Sequence, residues 1–171
     1  QHPKHGLLTA DHFVPLAEKT GLMKPLTSWV RNEALRQWGA WHPIGIDLTM
    51  AINISASSLQ DSAFPERVGK MLKIYGVPPS ALDLEITESA IMVKPTRAIE
   101  AITKLRGMGV QISIDDFGTG YSSLAYLTRL PAASIKIDKS FVIHMLVNNN
   151  DALVVRAIIE LGHHLGFKIV A

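Results

Sequence analysis

Four polar residues stand opposite in phase to their apolar neighbours, late in successive alternating segments: Asn53 to Ile52 and Ile54, Glu85 to Leu84 and Ile86, Asp115 to Ile112 and Ile114, and Lys136 to Ile135 and Ile137. With Asp116 beside Asp115, the set comprises three carboxylates, an amide and an ammonium group. Oxygen-only donors select a hard cation, Mg²⁺ or Mn²⁺, over zinc or copper. Carboxylates gathered without such an ion repel one another and raise each other's pKa. Adjacent Asp115 and Asp116, at a strand end where the pleat loosens, can both turn toward a pair of ions. Two ions bridged by a carboxylate suit in-line displacement at phosphorus, because they activate water and neutralise charge on the leaving and non-bridging oxygens. Lys136 can position that water, stabilise the developing charge, or act as a base if burial lowers its pKa. The sequence leaves these three roles open.

Such convergence requires parallel strands that end at one mouth. A period of 2 runs through Leu48 to Ser55 and Leu82 to Thr87, and shorter strand signals cover Val110 to Asp115, Ser134 to Asp138 and Lys168 to Ala171. Helical spacing covers Thr9 to Gly21, Pro25 to Pro43, Pro65 to Tyr75, Pro95 to Met108, Ser122 to Arg129 and Asp151 to Leu165. In the second of these, Leu26, Trp29, Val30, Ala34, Trp38 and Trp41 form an approximate packing stripe with Arg31 and Arg36 off it. Strands separated by helices of this length need crossover connections, which predicts an α/β fold with a parallel sheet. An antiparallel sheet with one wet face would also alternate, but the intervening segments are too long and too helical for hairpins. The remaining choice is between an open doubly wound sheet and a closed (β/α)8 barrel; the first strand-to-helix turn lacks G-x-G-x-x-G and no G-x-x-x-x-G-K-[ST] occurs, so a nucleotide-binding open sheet has no local support. In a barrel, polar residues in the inward phase near the C-terminal strand ends line the functional mouth.

Composition narrows the alternatives. The 171 residues are 47% hydrophobic and 19% charged with no cysteine, which fits a folded domain and excludes disulfides, thiolate zinc sites and thiol catalysis. The net charge of +2 is too small to predict binding to DNA or to a membrane surface. No apolar run approaches the roughly 20 residues needed to cross a bilayer. Asp116-Phe117-Gly118 spells the metal-binding triplet of protein kinases, but no H-R-D segment or Gly-rich phosphate loop accompanies it. His163 and His164 point to different sides of a helix and read as surface residues. The small-residue loop from Phe117 to Ser123 reads equally as a lid or phosphate contact and as a tight turn.

The motifs together resemble an EAL domain, the bacterial phosphodiesterase domain that hydrolyses cyclic di-GMP. The resemblance is carried by Gln1-His2-Pro3 with Gly6-Leu7-Leu8, Phe13-Val14-Pro15-Leu16-Ala17-Glu18, Asn53-Ile54-Ser55, Glu85-Ile86-Thr87-Glu88-Ser89, Asp115-Asp116-Phe117-Gly118-Thr119-Gly120-Tyr121-Ser122-Ser123-Leu124 and Lys136-Ile137-Asp138, in order and across the whole chain. It implies a modified TIM barrel in which Asn53, Glu85, Asp115 and Asp116 bind Mg²⁺ or Mn²⁺ and Lys136 sits at the catalytic water. It further implies that Glu88 anchors the loop containing Phe117, Gly118, Thr119 and Gly120, and that this loop couples dimerisation to activity. A cytoplasmic homodimer, with sensory or GGDEF domains on the same polypeptide, belongs to the same expectation.

Two departures lie at the ends. The Glu-Ala-Leu motif that names the family is expected just before Gln1, and a Glu-Gly-Val-Glu motif just past Ala171. An ordinary eight-stranded barrel takes about 250 residues. Residues 1–171 are therefore expected to be a partial EAL domain whose parent is an active phosphodiesterase and which by itself turns nothing over. Two other readings remain: a silent EAL domain acting as a cyclic di-GMP receptor, and a metal-dependent barrel hydrolase for a different phosphoester.

Overall fold

A computed structural model describes residues 2–120 and 124–171. Its elements run α1 (Ala10–Lys19), α2 (Met23–Trp41), β1 (Met50–Asn53), α3 (Ala56–Leu59), α4 (Phe64–Tyr75), β2 (Leu82–Thr87), α5 (Glu88–Met92), α6 (Pro95–Gly107), β3 (Gln111–Phe117), α7 (Leu124–Leu127), β4 (Ser134–Ile137), α8 (Lys139–His144), α9 (Asn149–His164) and β5 (Lys168–Val170). The start expected at Ser122 for the helix containing α7 lies outside the described residues.

The strands form one parallel sheet in the order β1-β2-β3-β4-β5. Because each strand neighbours the next in sequence, right-handed crossovers place the connecting helices on one face. That face holds the apolar phase. Ile52, Leu84, Ile86, Ile112, Ile114 and Ile135 are buried there together with Leu35, Val68, Leu72, Ala98, Ile102, Leu105 and Ile158 from the helices. Among the described residues the five strands form an open, sequentially ordered sheet and not the closed barrel that was expected.

The C-terminal strand ends are fixed by caps. Ser55, Thr87 and Asp138 each follow a strand or close it, and each accepts a hydrogen bond from a backbone N–H in the first turn of a short helix, α3, α5 and α8 respectively. The backbone is thereby turned out of the sheet after three of its strands.

One expectation is corrected in α2. Its buried residues are Thr27, Arg31, Leu35 and Trp38, whereas Trp29 is 64% exposed and Val30 is also exposed. The helix is rotated so that Arg31 faces inward, with its guanidinium 5.1 Å from the centre of the Phe64 ring. Burial, with the charge of Arg67 adding to it, lowers the Arg31 pKa from its ordinary value. The ring face and the long aliphatic stem of Arg31 make this placement tolerable, which apolar periodicity alone does not register.

Candidate active site

The strand register brings the polar set onto the sheet face opposite the helices. Asn53 pairs with Glu85 across β1 and β2, and Thr87 with Asp115 across β2 and β3. Glu85 is buried, and its Oε1 accepts a hydrogen bond from the Lys136 ammonium two strands away. Burial alone would lower the Lys136 pKa, but the hydrogen bond and charge of Glu85, with Asp115 and Asp83 nearby, leave it above the ordinary lysine value.

Asp115 and Asp116 are brought to the same mouth by an irregularity in β3. Ile114 lies opposite Ile135 and Phe117 opposite Ile137, so β3 carries one more residue than β4 between those points. Asp116 absorbs the extra residue at φ 52°, a left-handed backbone that aspartate tolerates better than most residues. Phe117 then returns to the core, and Asp115 and Asp116, half-buried and exposed respectively, stay out of it. Burial raises the Asp116 pKa, and the charges of Asp115 and Asp138 and a hydrogen bond with Asp138 add to the effect. Asp138 is shifted the opposite way, chiefly because the Ser140 hydroxyl and backbone N–H donate to it. A cation beside Asp115 and Asp116 would relieve their mutual repulsion.

The loop after β3 is tied to β2's exit. Glu88 is 3% exposed, and its Oε2 accepts a hydrogen bond of 3.2 Å from the Gly118 N–H. A Cβ on Gly120 would lie 2.7 Å from Glu88 Oε1, so the loop backbone sits directly against that carboxylate. Thr119 Oγ1 donates to the Asp116 carbonyl at 2.9 Å. Tyr121, Ser122 and Ser123 lie outside the described residues.

The donor set of Asn53, Glu85, Asp115 and Asp116 has the hard-oxygen chemistry that suits Mg²⁺ or Mn²⁺, and the strand ends carry it on one face. The cage is not preassembled: among the described residues no three Asp, Glu or His side chains are close enough to hold an ion together, and Glu85 is turned to Lys136.

Sequence reasoning passed over a polar layer beneath this mouth. Ser113 Oγ donates to Asp83 Oδ2 at 2.7 Å and lies 2.7 Å from Ser134 Oγ. All three residues share the inward phase, so the alternation that singled out Glu85 also marked Asp83, one pleat earlier.

Comparison with known proteins agrees with this arrangement. The EAL domain family matches residues 1–171. The chain is 45% identical over 172 residues to the bifunctional diguanylate cyclase/cyclic di-GMP phosphodiesterase MucR of Pseudomonas aeruginosa, covering 100% of this chain and 25% of MucR. It is 41% identical over 171 residues to the cyclic di-GMP phosphodiesterase PA2567 of the same organism, covering 100% of this chain and 29% of that protein. It thus spans between a quarter and a third of the length of these curated relatives. The solved PaMucR phosphodiesterase in complex with c-di-GMP superposes with a TM-score of 0.93 at 45% identity, over 98% of this chain and 68% of that one. The FimX EAL domain, at 23% identity and a TM-score of 0.87 over 98% of this chain and 67% of that one, shares the fold. Strand-end carboxylates, the glycine loop held by a buried glutamate and these similarities lead to one conclusion: the chain belongs to the EAL domain family.

Proposed function

We propose that this chain supplies the metal-binding strands of a phosphodiesterase that opens cyclic di-GMP to the linear dinucleotide. One observation carries the reading: four neighbouring parallel strands deliver Asn53, Glu85, the Asp115–Asp116 pair and Lys136 to one face near their C-terminal ends. The similarity to cyclic di-GMP phosphodiesterases supports the substrate.

In this reading Asn53, Glu85, Asp115 and Asp116 hold Mg²⁺ or Mn²⁺, probed as a pair of ions. When bound, the ions supply Lewis acidity toward the phosphodiester and activate water. Lys136 contributes a fixed positive charge that orients the attacking water and balances negative charge accumulating on the phosphoryl oxygens. Glu88 keeps the Phe117, Gly118, Thr119 and Gly120 loop closed on the strand end, which holds Asp116 in its left-handed conformation. Further strands complete the barrel beside this sheet, and the intact protein works as a cytoplasmic homodimer with sensory or GGDEF domains attached. No helix among the described residues is long and apolar enough to cross a membrane.

The Lys136–Glu85 ion pair favours one second reading, a cyclic di-GMP receptor in which the ammonium takes the place of a cation. Incubating the intact protein with cyclic di-GMP and Mn²⁺ separates the two. The phosphodiesterase reading expects linear dinucleotide with Mn²⁺ or Mg²⁺ and little with the larger Ca²⁺; tight binding without product supports the receptor and overturns the enzyme.

A further inference from the structure

Asp83 is a half-buried carboxylate that the proposed reaction does not use. Its Oδ2 is held by Ser113, which in turn meets Ser134, so a chain of short hydrogen bonds crosses β2, β3 and β4 and fixes the Asp83 side chain. Its Oδ1 is fully buried and has no hydrogen-bond partner. A carboxylate oxygen left bare inside a fold is costly unless a cationic group is near enough to compensate it. Lys136 supplies a cation on that face: it projects from the strand two residues beyond Ser134, and its ammonium is bonded to Glu85, the next residue after Asp83 on the same face of β2. Glu85 is also one of the oxygens assigned to the cation, and its carboxylate cannot serve both equally.

We propose that Asp83 is a positioning residue for Lys136, a second anionic seat that keeps the ammonium inside the mouth when Glu85 turns to a cation. Ser113 and Ser134 orient that seat. The inference rests on the phosphodiesterase reading for its purpose, but the pairing of Asp83 with Lys136 is testable without turnover or metal.

The test is competitive acylation of the folded intact protein at fixed pH, with the labelling rate of Lys136 read by mass spectrometry against the exposed Lys4 and Lys139. Glu85→Gln removes the first partner's charge, and Asp83→Asn removes the second while its amide oxygen can still accept from Ser113. The expected result is that each single variant keeps Lys136 slow and the double variant labels about tenfold faster, the scale of losing one partly buried ion pair. Should the double variant fail to fold, Asp83→Asn with and without Mn²⁺ gives the same information. Labelling of Lys136 then rises on adding Mn²⁺ in the variant and not in the wild type. If Glu85→Gln alone exposes Lys136 as fully as the double variant, or if Mn²⁺ leaves Lys136 in Asp83→Asn as slow as in the wild type, the second seat does not exist. Absence of cyclic di-GMP hydrolysis would contradict the proposed enzyme and would leave the labelling pattern intact.

Discussion

At the scale of single residues, the site depends on a few positions where backbone and side chain leave no alternative. Gly118 sits at φ 101°, and a Cβ there would lie 3.1 Å from both Ile158 Cδ1 and Phe141 Cε2. Gly118→Ala therefore combines a left-handed backbone with a tight contact, and a loss of about 1–2 kcal/mol in urea unfolding is expected. Glu88 contributes through the same loop. Glu88→Ala leaves the Gly118 N–H without its acceptor, and about 1–3 kcal/mol of stability should be lost, with faster amide exchange at Gly118 as the local sign. Unchanged exchange at Gly118 would show that Glu88 does not hold the loop. The inward positions were legible from residue types alone, since Asn53, Glu85, Asp115 and Lys136 stand opposite in phase to their apolar neighbours. The partners were not. Lys136 meets Glu85 across 51 residues and Asp83 meets Ser113 across 30, and only strand register reveals such pairs.

At the scale of elements, long segments declared themselves and short ones did not. The alternating run from Leu82 to Thr87 is β2 residue for residue, and the run from Pro95 to Met108 ends one residue later than α6. Helices α3, α5 and α8 span only four to six residues, too few for a 3.6-residue period to emerge. The inward turn of Arg31 was hidden for another reason: hydropathy treats arginine as polar along its whole length, whereas its stem and planar head pack on Phe64. A charged turn residue ahead of α4 also predicts a pH effect. Asp61 accepts from the Ala63 N–H at 3.0 Å and from Arg67 Nη2 at 2.7 Å just before α4, and these contacts, Arg67 first, lower its pKa. A carboxylate with a lowered folded-state pKa stabilises above its unfolded value of about 4 and loses that contribution as pH falls through the folded value. Asp61→Asn should lower the urea midpoint at neutral pH and converge with the wild type in acid; a pH-independent difference would assign the effect to packing.

At the scale of the whole molecule, the parallel sheet and its sequential order follow from strands alternating with crossover helices, and this much the sequence predicted. Closure did not follow, because the described strands form an open sheet with two free edges, β1 and β5. The sheet carries Asn53, Glu85 and Asp115 near the C-terminal mouth of its strands, and the β3 irregularity at Asp115 and Asp116 is the least predictable part of that arrangement. The central claim is that this mouth binds divalent cations through those carboxylates. It is tested most directly by titrating Mn²⁺ into the intact protein and into its Asp115→Asn/Asp116→Asn variant, following free Mn²⁺ by electron paramagnetic resonance. Affinity weaker by about tenfold or more in a variant that remains folded is the result this account predicts; Mn²⁺ binding equal to the wild type would contradict it.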